Sequence, residues 1–525
     1  MQDNNNPNFN DPNQGKDEFI AAPYDLQPVQ PAPPQKPTFR TRWLPLILSV
    51  FMLIFGFFGG MLVTSLSRRS RTSDVLDWMI RTVRENDYFY EDMTDAELEE
   101  VIARMGTMGA YYMTGDDYAE LLSPNSFREL LLEMEGQSGG IAIDVWQDYA
   151  NGQPVYGTDT NGNRTVLTKN VFVSQVYEYD IPSEQEKREG YVEPGEYSAQ
   201  NQLRRFDRPV ALEVNGEWVE FWNESYGSFW NQILSYPTGV PFRAKVLRVA
   251  DRGNGKADYP RLSGGEPDLS QAVEVTLCNE NYIPRYVTAY DSDSREMQNA
   301  GLPEDTLFLD FKSFMGNADE QFVAVMERFR TEGKKNLVLD LRYNGGGLLD
   351  ILETLGSYLV QDPANPTASN TLVGVQKYRN GNRREYRTKS NRYGDLGIEK
   401  IIVLGNGNTA SASEALIGAM DYYGTMTGYV GTTSYGKGIM QQYFYYKPLQ
   451  VSYALKLTTA QLYLPDGTTT IHKIGFVPDD PATQEKEGNV RANSLKVAET
   501  LYPTGADADY AFDAQLAAAL ALLAA

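Results

Sequence analysis

The sequence predicts an α/β core in its C-terminal half, preceded by a β-rich domain, a short helical segment and one transmembrane helix. Strand and helix patterns alternate from about residue 305 onward, which is typical of an α/β core. Short alternating runs separated by polar loops rich in Gly, Asn and Asp fill residues 144–300 and favour β-structure. A single long uncharged apolar run lies near the N-terminus.

Two segments of opposite character precede the folded part. Residues 1–42 are rich in Asn, Pro, Gln and Asp, which predicts a disordered tail. Residues 43–67 contain no charged side chain, and these 25 residues suffice to cross a hydrocarbon core of about 30 Å. We expect an uncleaved membrane anchor, because the run exceeds the usual length of a signal-peptide core and no Ala-x-Ala-like site follows. Basic residues flank both ends, so charge does not determine the orientation.

Residues 72–138 are predicted to be a helical segment. Apolar side chains lie at helical spacing in 74–87, a capping box at 94–97 opens a second helix, and a third helix is expected near 126–135.

Residues 139–250 are predicted to form the β-rich domain, and residues 251–525 are predicted to form the core. In the core, strands are predicted over 307–311, 337–341, 400–404, 427–431 and 439–446, with helices over 319–330, from 348 and up to about 422. The Ala/Leu-rich end, 513–525, is predicted to dock as an amphipathic helix; self-docking as a substrate-like tail is the alternative.

Composition excludes several classes of function. The net charge of −23 disfavours nucleic acid as a partner. The lone Cys278 excludes an internal disulfide and a multi-cysteine zinc site, and the single His472 excludes a multi-histidine metal site. We therefore expect no metal and no cofactor. Gly56 and Gly60 form a weak GxxxG motif within the anchor, so a homo-oligomer is left open.

A serine and a lysine are the candidate catalytic groups. Ser411 lies between a predicted strand and a predicted helix, where free backbone amides and the helix dipole favour a developing oxyanion. Lys437 has bulky or apolar neighbours and no adjacent carboxylate in sequence, and burial lowers the pKa of a lysine towards that of a useful base. Gln441 projects to the same face of an extended strand and is placed to hold the amine.

Backbone amides complete the predicted site. Ala412 follows the serine, and Gly346 lies in a glycine run after a buried strand; both are candidate oxyanion donors. Helix capping alone remains the alternative role for Ser411, and an ordinary surface position remains the alternative for Lys437. Residues 431–437 also match the start of a phosphate-binding loop, but Gly438 stands where that loop needs Ser or Thr.

Taken together, these segments resemble the C-terminal processing peptidases, also called tail-specific proteases. The family motif Ser-Ala-Ser-Ala-Ser-Glu appears as Thr-Ala-Ser-Ala-Ser-Glu at 409–414, and Phe-Gly-Lys-Gly appears as Tyr-Gly-Lys-Gly at 435–438. Asp-Leu-Arg-Asn-Asn-Pro-Gly-Gly appears as Asp-Leu-Arg-Tyr-Asn-Gly-Gly-Gly at 340–347. The resemblance implies a crotonase/ClpP-like core with ββα elements, Ser411 as nucleophile, Lys437 as base with Gln441, and an oxyanion hole at Gly346 and Ala412. It also implies a structural role for His472.

The resemblance further implies a PDZ domain at 139–250 that grips substrate C-termini. Gly139, Gly140 and Ile141 are similar to its carboxylate-binding loop, and 190–196 is similar to its Ala-Gly-Leu-x-Pro-Gly-Asp stretch. The implied substrates are proteins or peptides with apolar C-termini. The implied location is the cell membrane, crossed once, with the N-terminus in the cytoplasm and the peptidase outside it.

The resulting hypothesis is a membrane-anchored serine endopeptidase. Extra acidic and Gly/Asn-rich segments in the PDZ-like region motivate a second hypothesis, a non-catalytic membrane scaffold that captures protein C-termini. A nucleotide-dependent enzyme is the third hypothesis, and it rests on residues 431–437 alone.

Overall fold

A computed structural model describes residues 71–88, 116, 118–122, 127–128, 130–131, 134, 138–150, 153–180, 202–251, 257–445, 454–483, 488–500 and 510–525. The tail at 1–42, the anchor at 43–67, the capping box at 94–97 and the stretch 190–196 lie outside these residues. Within the described ranges, no helix combines the length and apolar character needed to cross a membrane.

Among the described residues, the helices in chain order are α1 (Arg71–Asn86), α2 (Tyr226–Leu234), α3 (Ala318–Thr331), α4 (Leu349–Leu359), α5 (Tyr393–Leu396), α6 (Ala412–Tyr423) and α7 (Ala514–Ala524). Five of these helices begin or end close to their predicted positions, and two, α2 and α5, are not predicted from the sequence. Helix α2 interrupts a region for which the sequence predicts only strands, because its apolar side chains Phe229 and Ile233 are buried on one face.

Strands fill most of the remaining described chain. Those before the core are β1 (Glu120–Leu122), β2 (Ser138–Gly140), β3 (Ile143–Gln147), β4 (Tyr149–Ala150), β5 (Gln153–Pro154), β6 (Gly157–Thr158), β7 (Arg164–Thr165), β8 (Val171–Val176), β9 (Glu178–Asp180), β10 (Arg208–Val214), β11 (Glu217–Glu220), β12 (Phe242–Leu247), β13 (Ala250–Asp251), β14 (Ala257–Asp258), β15 (Val273–Leu277) and β16 (Glu280–Arg285). Those of the core are β17 (Val287–Tyr290), β18 (Thr306–Phe311), β19 (Asn336–Asp340), β20 (Leu372–Tyr378), β21 (Arg383–Arg387), β22 (Lys400–Gly405), β23 (Gly428–Gly431), β24 (Ile439–Tyr445), β25 (Ala454–Tyr463) and β26 (Asn493–Lys496).

The main sheet of the core has the strand order β17-β18-β19-β22-β23-β26. Strand β17 runs antiparallel to β18, and the neighbouring pairs from β18 to β26 are parallel. Alternate side chains point to opposite faces, so Leu307 and Leu309 join the cluster under α3, α4 and α6, whereas Phe308 joins the cluster that includes α7. Burial of both faces explains why these strands are near-continuous apolar runs in the sequence.

A second, antiparallel sheet carries the strand after Lys437. It has the order β1-β25-β20-β21, and β24 also pairs with β25. Met79 and Val83 of α1 pack against Leu455 and Leu457 of β25. The sequence predicts only helices for 72–138, yet β1 within that range joins this sheet.

The β-rich region contains the sheet β11-β10-β12-β15 and the pair β3-β8. Its own core cluster includes Leu212, Phe229 and Phe242. Because β15 pairs with β12, this sheet extends past residue 250, where the sequence analysis places the domain boundary.

Candidate active site

Three loops that follow neighbouring parallel strands meet at one edge of the main sheet. Residues 341–348 follow β19, residues 406–411 follow β22, and residues 432–438 follow β23. Since the carboxyl ends of parallel strands lie at the same edge, side chains far apart in sequence converge there. The loops are joined directly, because Ala410 N donates to Asn344 O at 3.0 Å and Tyr435 N donates to Thr409 O at 3.0 Å.

Ser411 occupies the turn that begins α6. Its backbone has φ 58° and ψ −117°, a left-handed conformation that is strained for a residue with a side chain. Sharp strand-to-helix turns of this kind expose a nucleophile at the top of a sheet. The side chain of Ser411 is partly buried, whereas the neighbouring Ala412 and Ser413 are fully buried.

Glu414 connects the serine turn to the lysine loop. Its buried carboxylate accepts hydrogen bonds from Ser411 N at 3.0 Å, Lys437 N at 2.8 Å, Gly436 N at 2.7 Å and Ser434 Oγ at 2.6 Å. Burial raises the pKa of Glu414, and these donors act in the opposite direction by stabilising its charged form. No role for Glu414 is predicted from the sequence, although a serine three residues before a glutamate is a capping-box pattern.

Lys437 is partly buried. Burial, and secondly the charge of Lys456, lower the pKa of Lys437 to about 8, while Glu414 and Asp116 act in the opposite direction. The sequence lacks a carboxylate next to Lys437, but the fold brings these two from elsewhere. Among the hydrogen bonds of the described side chains, none joins Ser411 Oγ to Lys437 Nζ. Burial in the folded chain therefore lowers the pKa of Lys437, which is the property required of a lysine that acts as a base.

Gln441 belongs to a network that sequence reasoning missed. Its Nε2 donates to Thr458 Oγ1 at 3.2 Å, and Thr458 Oγ1 in turn donates to Asp116 Oδ1 at 2.8 Å. Thr458 N donates to Asp116 Oδ2 at 2.8 Å, although these two residues are 342 positions apart in the chain. No local pattern marks Asp116, so only the folded chain reveals this contact.

The two candidate oxyanion donors lie beside Ser411. A Cβ on Gly346 would lie 2.8 Å from Ala412 N and 2.8 Å from Ser411 Cβ, so the glycine is required for this approach. Ala412 is the first residue of α6, where amides lack an intrahelical acceptor. The amide of Gly346 donates to Asn344 Oδ1 at 2.9 Å, and this bond has to break before Gly346 N–H can reach an oxyanion.

The segment predicted as a peptide-binding loop, Gly139–Ile141, is largely strand in the structure, because Gly139 and Gly140 belong to β2. Gly139 and Gly140 pair with Asn281 and Glu280 of β16, and Gly140 has φ 117°. Ile141 belongs to the cluster of the β-rich region, whereas the next residue, Ala142, belongs to the main core cluster. This segment therefore lies between the two cores, about two hundred residues before the candidate catalytic loops begin in the chain.

The phosphate-loop alternative lacks its structural context. Residues 432–438 lead from β23 into strand β24, and a phosphate-binding loop needs a following helix. His472 lies behind the lysine loop, since a Cβ on Gly438 would lie 2.7 Å from His472 N.

Comparisons with known proteins identify part of the chain. Residues 305–482 match the model of Peptidase family S41. The chain is 38% identical over 157 residues to a carboxy-terminal-processing protease of Bartonella bacilliformis. The aligned region covers 30% of this chain and 32% of the relative. It is 26% identical over 296 residues to the carboxy-terminal processing protease CtpA of Bacillus subtilis, covering 54% of this chain and 59% of the relative. The matches thus span between about a third and three fifths of these relatives' lengths.

A solved structure of a putative S41 protease from Bacteroides fragilis aligns with 85% of this chain and 97% of that chain, at 14% identity and a TM-score of 0.49. The segment matched by the family model contains Ser411, Lys437, Gln441, Gly346 and Ala412. Residues 305–482 therefore match the model of Peptidase family S41, and the chain is similar in sequence to carboxy-terminal-processing proteases.

Proposed function

We propose that this protein is a membrane-anchored serine endopeptidase that uses Ser411 and Lys437 to cleave proteins or peptides recognised by their C-terminal tails. The observation that carries the proposal is the shared carboxylate of Glu414. It accepts the backbone amides of both Ser411 and Lys437, so it fixes the nucleophile loop and the base loop relative to each other. One buried group thus holds the backbones of the two loops that carry the proposed nucleophile and base.

In the first step, Ser411 Oγ attacks the scissile carbonyl carbon while neutral Lys437 Nζ takes the hydroxyl proton. Because no hydrogen bond yet joins these two groups, we expect substrate binding to close the gap between them. The amides of Ala412 and Gly346 then stabilise the oxyanion of the tetrahedral intermediate, once Gly346 N–H releases Asn344 Oδ1.

Lys437, now protonated, gives its proton to the leaving amine as the C–N bond breaks, which leaves an acyl-enzyme on Ser411. Water then attacks the ester carbonyl while Lys437 again accepts a proton, and Ser411 is regenerated when the C–O bond breaks. Gln441, which donates to Thr458 in the Thr458–Asp116 network, would hold the lysine side chain in place during these steps.

Substrate capture is assigned to the segment Gly139–Ile141, whose backbone amides would hold a terminal carboxylate next to an added strand. The apolar segment 43–67 would anchor the protein in the cell membrane, with its peptidase outside the cytoplasm and its N-terminus inside. The anchor would confine cleavage to substrates that reach the membrane surface.

Purified full-length protein in detergent should cleave peptides with apolar C-termini, and Ser411→Ala and Lys437→Ala should each lower kcat by at least ~10³-fold. Ser413→Ala is the matched control, because Ser413 is fully buried and donates to Asn344 O at 3.1 Å. It should lose only about 1 kcal/mol of stability. A fluorophosphonate probe should label Ser411 and no other serine of the motif, as read by mass spectrometry.

Two results would reject the proposal. Cleavage that survives both Ser411→Ala and Lys437→Ala at the wild-type rate would exclude the dyad. A wild-type protein that binds such peptides without cleaving them, and that the probe does not label, would favour the scaffold hypothesis.

A further inference from the structure

We propose that Tyr118 is a positioning residue for this peptidase, because its ring covers the ammonium group of Lys437 and keeps water away from it. The inference rests on the proposed function of Ser411 and Lys437, and it adds an element from outside the segment that matches the peptidase family. The centre of the Tyr118 ring lies 5.3 Å from Lys437 Nζ.

Tyr118 belongs to a short stretch, Asp116 and residues 118–122, that we call the covering segment. Strand β1 of this segment pairs with β25 through Glu120 opposite Lys456 and Leu122 opposite Ala454. The covering segment is therefore held as an edge strand of the sheet that also contains β24, the strand that follows Lys437.

Hydrogen bonds fix the ring above the lysine. The Tyr118 backbone amide donates to Asp116 Oδ1 at 3.0 Å, and the same carboxylate accepts from Thr458 N and Thr458 Oγ1. At the other end, the Tyr118 hydroxyl donates to the Tyr435 hydroxyl at 3.4 Å, two residues before Lys437. The ring thus spans from the Thr458 network to the lysine loop.

Several charges face Lys437. Glu414 lies on the serine helix α6, and Asp116 lies on the covering segment; both favour the ammonium form. Lys456 on β25 disfavours it, and Glu120 partly offsets Lys456 because their charged groups are 3.1 Å apart.

Two effects of the ring oppose each other. Its negative face attracts the ammonium, which favours the charged lysine, but 5.3 Å is near the outer limit of about 6 Å for this attraction. Exclusion of water favours the neutral amine, and burial is the largest cause of the depressed pKa of Lys437. We therefore expect removal of the ring to raise the pKa of Lys437.

The test compares wild type, Tyr118→Ala and Tyr118→Phe in the full-length protein. The profile of kcat/KM against pH should keep its acidic midpoint in Tyr118→Phe, which retains the ring, and should move up by about one pH unit in Tyr118→Ala. At pH 7 this shift lowers kcat/KM about tenfold, and the loss should be recovered near pH 10 because the base itself is intact. A merely structural role would lower activity equally at every pH.

A second measurement does not depend on cleavage. Competitive labelling with an amine-reactive reagent across pH, read by mass spectrometry on the peptide that contains Lys437, gives its pKa directly. Tyr118→Ala should raise that pKa and Tyr118→Phe should not. Tyr88→Ala is a further control, since the Tyr88 hydroxyl donates to Gln461 at 3.1 Å on the same sheet. It should leave the Lys437 pKa unchanged.

An unchanged labelling pKa in Tyr118→Ala would overturn the inference, even if Ser411 proves to be the nucleophile. A raised labelling pKa together with cleavage that survives Ser411→Ala would instead retain the covering role and reject the proposed function. If Tyr118→Ala does not fold, Tyr118→Leu, which leaves part of the cover, should shift the pKa in the same direction by a smaller amount. No shift in that variant relative to Tyr118→Phe would also overturn the inference.

Discussion

With Lys437 as the proposed base, its pKa sets the expected dependence of the cleavage rate on pH. Its pKa of about 8 means that about a tenth of the molecules hold the neutral amine at pH 7. Because only the neutral amine accepts the serine proton, we expect kcat/KM to rise about tenfold per pH unit below pH 8 and to level off above it.

Lys437→Arg is the matched variant for this prediction. A guanidinium keeps the positive charge but is not deprotonated in proteins, so the variant should be inactive at every pH up to 10. The measurement is steady-state cleavage of one peptide from pH 5 to pH 10. A wild-type profile that is flat across pH 8, or an active arginine variant, would contradict lysine as the base.

Gly346 and Gly345 should respond very differently to the same added methyl group. At Gly346 the backbone has φ 93°, and a Cβ would lie 2.7 Å from Ala410 O and 2.8 Å from Ala412 N, so the two catalytic loops would be forced apart. At Gly345 a Cβ would meet nothing within 4 Å. We expect Gly346→Ala to lose at least ~10²-fold in kcat and Gly345→Ala to stay within about threefold of wild type.

Steady-state kinetics on both glycine variants, with circular dichroism to establish that each is folded, tests this prediction. Equal activity in the two variants would mean that the close approach of the two loops is not needed for catalysis.

Helix α7 is connected to the loop that contains Gly346 through a buried ion pair at its first turn. Arg342, in the loop that contains Gly346, is fully buried between Asp340 at 2.6 Å and Asp513 at 2.7 Å. Asp513 also caps α7, because its Oδ1 accepts from Gln515 N and Leu516 N at 3.0 Å. Leu516 and Leu523 are buried against the sheet and Leu520 is partly buried, so the C-terminal residues form a docked helix rather than a substrate-like tail.

Asp513→Ala should therefore destabilise the protein by about 2–4 kcal/mol, since it removes a helix cap and one carboxylate from a buried arginine that keeps its other partner. Asp480→Ala is the control, because Asp480 pairs with Lys496 at the surface and should change stability little. Urea unfolding of both variants measures the difference. A loss in Asp513→Ala no larger than that in Asp480→Ala would show that α7 does not stabilise the catalytic loop.

At the scale of the whole molecule, the β-rich region and the core meet at Tyr343. This residue lies in the catalytic loop with φ 62°, and its hydroxyl donates to Glu499 Oε2 at 2.7 Å. Phe172 of β8 packs edge-on against its ring with 5.9 Å between the ring centres, and the guanidinium of Arg205 lies 4.4 Å above it. The β-rich region thus packs on the loop that holds Gly346.

Substitution of two buried phenylalanines of the β-rich region can distinguish an effect on the loop that holds Gly346 from a general loss of stability. Phe172→Ala and Phe229→Ala should each destabilise the protein by about 3 kcal/mol, because both side chains are at least nine-tenths buried. Phe229 packs on Phe221 and Tyr226, away from the catalytic loop. Only Phe172→Ala should lower kcat of the folded protein, as read by activity at low temperature alongside thermal unfolding. Equal kcat in both variants would contradict the coupling.

Patterns within a few residues determined much of this protein. The core strands and helices that the sequence predicts lie within one or two residues of their predicted ends, since strands buried on both faces are continuous apolar runs and the start of α6 carries a capping box. Strands β17, β20, β21, β25 and β26 and helix α5 are not predicted from the sequence. The motifs at 340–347, 409–414 and 435–438 marked the loops that carry Ser411, Lys437 and Gly346. Their membership of one site followed from a resemblance, not from local physics.

Only the tertiary structure decided which distant groups act on these residues. The chain alone shows no carboxylate beside Lys437, yet folding brings Glu414 and Asp116 near it and leaves burial as the dominant influence on its pKa. Strand β1 and Tyr118 lie in a stretch whose sequence predicts helices, and the edge of β25 makes that stretch a strand. The intrinsic preference of a short segment for helix or strand is weak compared with the free energy gained when the segment pairs with a sheet edge and its side chains are buried. That free energy depends on contacts between residues hundreds of positions apart, which a local sequence pattern does not reveal.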